Sequence, residues 1–129
     1  MANRNFNRFQ ALSKELKLID GSFCLNGTSA VNNTLNTGIG FTVARTSTGL
    51  FTITLQDNYV SLHSVTASLQ LETASDKIVQ VGTTAVSTTA KTIQLRIWDI
   101  SDAAVADVSY DANNRVNFQA VLKNSTVGG

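Results

Sequence analysis

Residues 41–56, FTVARTSTGLFTITLQ, alternate apolar and polar side chains with a period of two on either side of a glycine-containing turn. Phe41 and Val43 fall on one face, with Thr42, Ala44 and Thr46 on the other. After the turn, Phe51, Ile53 and Leu55 again share a face, opposite Thr52, Thr54 and Gln56. Successive side chains of a strand point to opposite faces, so this pattern fits a half-buried hairpin and does not fit a helix. Gly49 supplies the freedom of φ that a tight reversal needs.

The same period returns downstream. Residues 64–72 carry Val65, Ala67, Leu69 and Leu71 on one face, and a short strand is expected over 77–82. Residues 83–90 read as a small polar loop. In 92–100, Ile93, Leu95 and Ile97 point inward while Gln94, Arg96 and Trp98 point outward. Residues 105–110 and 115–123 read as a second hairpin about the turn Asp111–Asn114, with Val116, Phe118, Ala120 and Leu122 on its apolar face. Six to eight short one-sided strands predict an all-β protein, an antiparallel β-sandwich or barrel. A chain of 129 residues buries roughly two-thirds of its unfolded surface, enough for one core without disulfide staples.

One segment breaks the pattern. Over residues 4–19, Phe9, Leu12, Leu16 and Ile19 recur at helical spacing, and Asp20–Gly21 reads as a stop signal. The expected organisation is therefore an N-terminal arm and helix over 1–21, followed by a single β domain over 22–129. Residues 26–38, rich in Asn, Thr, Ser and Gly, read as a loop. Arg4 and Arg8 lie near the N-terminus of that helix, where positive charge is disfavoured, and so point to an acidic partner.

The chemistry available to catalysis is thin. Cys24 is the only cysteine, which excludes an internal disulfide; between Phe23 and Leu25 it reads as a small buried hydrophobe with no basic setting. His63 is the only histidine, and Asp99, Asp102, Asp107 and Asp111 read as turn and cap residues. Their spacing does not match a calcium loop, and the GIG at Gly38–Gly40 precedes a strand where a phosphate loop needs to follow one. We expect no catalysis, no metal and no cofactor. A net charge of +1 predicts no nucleic-acid surface, and no apolar run suits a membrane helix or a signal peptide, so a cytosol-like compartment is expected. Charged residues make up 15% against a usual share of about 25%, so much of the surface must be Thr, Ser and Asn, suited to neutral hydrogen-bonded contacts. No proline guards a strand edge, a difficulty that neighbouring subunits would remove.

Three segments, RNFNRFQALSKELKLI, GIGFTVARTSTGLFTITLQDNY and NRVNFQAVLKNSTV, together resemble small virion proteins of tailed bacteriophages. The opening RNFNRFQALSKELKLI is similar to their Asn/Arg-rich lead and helix. GIGFTVARTSTGLFTITLQDNY is similar to their hairpin, with Phe51 where Tyr is commoner, and NRVNFQAVLKNSTV resembles their closing strand. Residues 74–104 have no counterpart in the resemblance. It implies a structural protein of the decoration or cement type, made in the host cytoplasm and placed on the outer surface of the head. The implied partners are the major capsid protein and further copies of the chain, a trimer being favoured. The arm residues Arg4, Phe6, Arg8, Phe9 and Leu12 would meet the shell, and Trp98 and Tyr110 would serve an oligomer interface. The alternative is a tail or fibre component whose Trp98 and Tyr110 line a receptor- or carbohydrate-binding face. A small hydrolase would instead need a polar cleft holding Asp99, Asp107 or His63.

Overall fold

In the computed structural model, which describes residues 16–123, the apolar faces anticipated from the two-residue period turn toward one another across two antiparallel sheets. Eight strands follow in chain order among the described residues: β1 (Leu16–Cys24), β2 (Phe41–Ser47), β3 (Leu50–Leu55), β4 (Ser61–Gln70), β5 (Lys77–Val86), β6 (Lys91–Asp99), β7 (Ala104–Val105) and β8 (Arg115–Lys123). One sheet runs β1-β8-β4; the other runs β2-β3-β6-β5, with β7 added to β6. The described residues are thus nearly all β, two antiparallel sheets packed face to face as in a β-sandwich.

The hairpin of β2 and β3 forms as its sequence requires. Phe41, Val43, Phe51, Ile53 and Leu55 are buried, as are Ile93, Leu95 and Ile97 of β6 in the same sheet. Facing them are Ile19 and Phe23 of β1 and Val116, Phe118, Ala120 and Leu122 of β8. Two ring contacts stitch the sheets together: Phe23 meets Phe51 at 5.3 Å between centroids, and Phe41 meets Phe118 edge-on at 4.8 Å. A shift of one residue in any of these strands would turn its apolar set to solvent, so the core itself fixes the registers.

The structure corrects the reading of the first segment. Leu16–Ile19 open a strand, and β1 pairs with β8 from Leu16↔Lys123 to Cys24↔Arg115. The helical spacing of Leu16 and Ile19 is overridden because pairing with β8 buries Ile19 and Phe23 at strand spacing. The rest of the expected helix, and the arm before it, lie outside the described residues. Asp20–Gly21 does not stop an element; it sits inside β1, across the expected 21/22 boundary. Gly21 is needed there for close approach: a Cβ would overlap the Thr37 carbonyl and come within 2.6 Å of the Phe41 ring.

Two further expectations change. The polar stretch after residue 82 continues β5 to Val86 through a register shift between Val81 and Thr84. The second hairpin does not form. Its turn exists, with the Asn114 N–H donating to the Asp111 carbonyl at 3.0 Å, but the flanking segments go to different sheets. β7 pairs with β6, whereas β8 inserts between β1 and β4. A turn sequence sets a local reversal and leaves open which sheet the next strand joins.

Candidate interaction surface

Among the described residues, Glu72, Asp107 and Asp111 line one polar cleft of about 390 Å³, whereas Asp99 and His63 do not line it. The Asp99 carboxylate accepts from the Ser101 hydroxyl (2.9 Å) and from the Ser101 and Asp102 N–H groups (3.1 and 3.2 Å), closing the turn after β6. The Ser101 hydroxyl foremost, then the Asp102 amide, hold it below the ordinary carboxylate range. Asp107 receives Arg45 Nε at 3.0 Å and Nη2 at 2.6 Å, a two-point pair, and also the Gly49 N–H at 2.9 Å. The Arg45 hydrogen bond lowers the Asp107 pKa most and raises that of Arg45 in turn. Asp111 caps its own turn by accepting from the Asn113 N–H at 2.9 Å. His63 is exposed at the register shift between Leu62 and Ser64 of β4. Among the described residues, no group of three His, Cys, Asp or Glu side chains could hold a metal ion. Nor is any described helix long and apolar enough to cross a membrane, which says nothing of strands.

Cys24 is buried, as its neighbours suggested, but it has a basic contact that the sequence did not reveal. Arg115 Nη1 donates to its Sγ at 2.7 Å, from a residue 91 positions away. The same guanidinium donates to Ser22 Oγ (3.0 Å), the Leu35 carbonyl (2.8 Å) and Thr37 Oγ1 (3.3 Å). Ser22 and Cys24 face away from the core, alternating with Phe23. They are nevertheless buried, because Arg115 clamps loop 25–40 over them.

Loop 25–40 also works on the sheet edges. Ser22 and Thr37 exchange N–H···O bonds of 2.9 Å each, so the loop pairs with the edge of β1. The Asn33 carboxamide takes both backbone groups of Val43 on β2: its Oδ1 accepts the N–H at 2.8 Å and its Nδ2 donates to the carbonyl at 3.1 Å. On the opposite side of the molecule, β4 and β5 run close beside one another. The edges that lacked proline are therefore partly guarded within the chain, by means a proline count does not register.

The outward faces of both sheets are broad and mainly uncharged, with Asp20 and Arg115 carrying charge on the first and Arg96 on the second. On the first, register aligns Asp20, Gln119 and Thr66 in one row and Ser22, Asn117 and Ser68 in the next. These rows line a wide, shallow depression of about 510 Å³. On the second, Thr42, Thr54 and Thr92 align, then Ala44, Thr52 and Gln94. Beyond a row in which Arg96 Nε donates to Gln80 Oε1 at 3.1 Å, Trp98 lies between Ile78 and Val105. Ile78 is 40% exposed and nearby Ile100 56%, so this end of the sheet presents apolar surface.

Tyr110 is 54% exposed, on the segment between β7 and β8. It lines two clefts: one of about 390 Å³ with Glu72, Ser109 and Asn114, and one of about 270 Å³ with Asn26, Asn32 and Leu35. Trp98 lines neither, so the two aromatic residues singled out by sequence do not form one groove. Arg4, Phe6, Arg8, Phe9 and Leu12 lie outside the described residues. Arg115 and Asn33 were missed because their partners are brought in by the fold, with no local motif to mark them. Comparison with protein-family models, with curated proteins and with solved structures finds no match to this chain.

Proposed function

We infer that this chain is a virion structural protein of a tailed phage, a decoration or cement protein on the outside of the head. The observation that carries the reading is the pair of wide outward sheet faces whose rows are mainly Thr, Ser, Asn and Gln, with Asp20 and Ala44 among them. Such surfaces suit extended, largely uncharged contacts with a protein neighbour, and the Asp99 and Asp107 carboxylates are already engaged by turn groups and by Arg45. The phage-like opening, hairpin and closing segments supply the particular setting. In this reading the arm carrying Arg4, Phe6, Arg8, Phe9 and Leu12 reaches to the major capsid protein. The β body meets further copies, favoured as a trimer, through the face holding Trp98. Many copies, each adding modest binding free energy, then oppose expansion of the shell. The chain acts without catalysis or cofactor and binds neither nucleic acid nor membrane.

The test is co-sedimentation with empty shells of the major capsid protein. The cut belongs after residue 15, because removal of residues 16–19 would take away the start of β1. The full chain is expected to sediment with shells and the chain lacking 1–15 to remain in the supernatant. Undiminished binding of the shortened chain removes the arm from the mechanism, and no binding by the full chain removes the reading. A second reading, a tail or fibre component with a glycan-binding face, rests on Tyr110, whose exposed ring stands among amide side chains. Glycan-array binding abolished by Tyr110→Ala would favour it.

A further inference from the structure

Among the described residues, β2 pairs with β3 alone, so its other side is a sheet edge. In an antiparallel strand, alternate residues direct both N–H and carbonyl to the same side. At Val43 both groups are taken by the Asn33 carboxamide, at 2.8 and 3.1 Å. A carboxamide carries the donor and acceptor of a peptide unit. Asn33 therefore stands where the peptide of an added strand would stand.

The placement is held from several directions. Asn36 Nδ2 donates to Asn33 Oδ1 at 2.7 Å. Asn32 Oδ1 accepts from the Thr34 N–H and hydroxyl at 3.1 and 2.7 Å, capping the short 3-10 turn Asn33–Leu35. The loop is tied onward to β1 through Ser22 and Thr37. Among the described residues, little else protects this stretch of edge. Residues 41–44 contain no proline, no charge and no bulge; the first register shift comes between Arg45 and Ser47. Thr42 and Ala44 are exposed, small and neutral.

Such an edge fits best with its own copy. A twofold axis at Val43 would set Thr42 against Ala44 of the second chain, with no charge repulsion on the exposed face. Two five-stranded sheets would then join into one. We propose that Asn33 is a stopper on this edge, occupying the position at which β2 of a second copy would pair. The proposal is independent of any place in a virion, since it concerns pairing that the free chain avoids.

Sedimentation velocity on Asn33→Ala tests it, read against the unmodified chain whatever that chain's own order. The expected result is a concentration-dependent species of twice the unmodified mass. Adding Thr42→Lys and Ala44→Lys, which oppose like charges across the twofold pair, is expected to return the unmodified mass. An unchanged mass for Asn33→Ala at every concentration overturns the proposal. So does a doubled mass that survives the two lysines, because the association then lies elsewhere. Amide exchange in the unmodified chain supplies a check that needs no variant to fold: slow exchange at Val43 is expected, and exchange as fast as a free amide overturns the proposal.

Discussion

The carboxylate of Asp107 joins the tip of the β2–β3 hairpin to the segment after β7, through Arg45 and the Gly49 amide. Gly49 adopts φ +64° there, and a Cβ would come within 2.7 Å of the Ala106 backbone, so the tip admits only glycine without displacement. Both Asp107 and Asp99 have folded-state pKa values below those of the unfolded chain. A depressed carboxylate contributes stability that is fully present above its unfolded pKa and is lost as pH falls through the folded one. The melting temperature should therefore hold steady near neutrality and fall below about pH 4. Asp107→Asn is expected to lower it at pH 7 and to flatten the acid limb; an acid limb as steep as that of the unmodified chain would show that Asp107 is not among its causes. None of this was legible in sequence beyond the expectation that the Asp residues serve turns. Asp107 proves to be an ion-pair partner from 62 positions away, a distance that only folding closes.

Elements differ in how fully their sequences declare them. The β2–β3 hairpin and the inward faces of β6 and β8 are legible because each satisfies its own period and the core accepts it. β1 is not, since Leu16 and Ile19 fit a helical spacing equally well and only β8 decides between them. The partner of β8 was equally hidden: its apolar face is plain in sequence, but nothing in the Asp111–Asn114 turn tells that β8 will pass to the other sheet. Loop 25–40 is held in part by Arg115, whose guanidinium donates to the Leu35 carbonyl and the Thr37 hydroxyl. Arg115→Met keeps the aliphatic stem and removes those donors. Amide exchange is expected to quicken at Ser22 and Thr37 while β3 and β6 stay protected. Equal protection at Ser22 and Thr37 in the variant would mean that the backbone bridge alone retains the loop.

At the scale of the molecule, the all-β class and the single core followed from strand count and patterning, while the guarding of edges did not. Absence of proline suggested edges left for neighbouring subunits; the loop shows that amides within the chain cover part of them. The sheet faces, by contrast, expose residues such as Thr42, Ala44, Thr66 and Gln119. Trp98, the only tryptophan, reports on one of these faces from its row with Ile78 and Val105. If that face joins copies, its emission should shift to the blue and resist acrylamide quenching as the chain assembles. Assembly with unaltered emission and quenching would place the contact elsewhere.

The order of strands in the first sheet bears on how the chain comes to be folded. β8 is the middle strand there, yet it follows β1 and β4 in the chain. On the ribosome, β1 and β4 must emerge and wait with no hydrogen-bonding partner between them, while β2, β3, β5 and β6 can already close the other sheet. The first sheet can be completed only when β8 arrives to fill the gap. Pairings this distant in sequence form slowly and leave apolar strands open to wrong partners meanwhile. The newborn chain, more than the finished one, is where this architecture is vulnerable to aggregation.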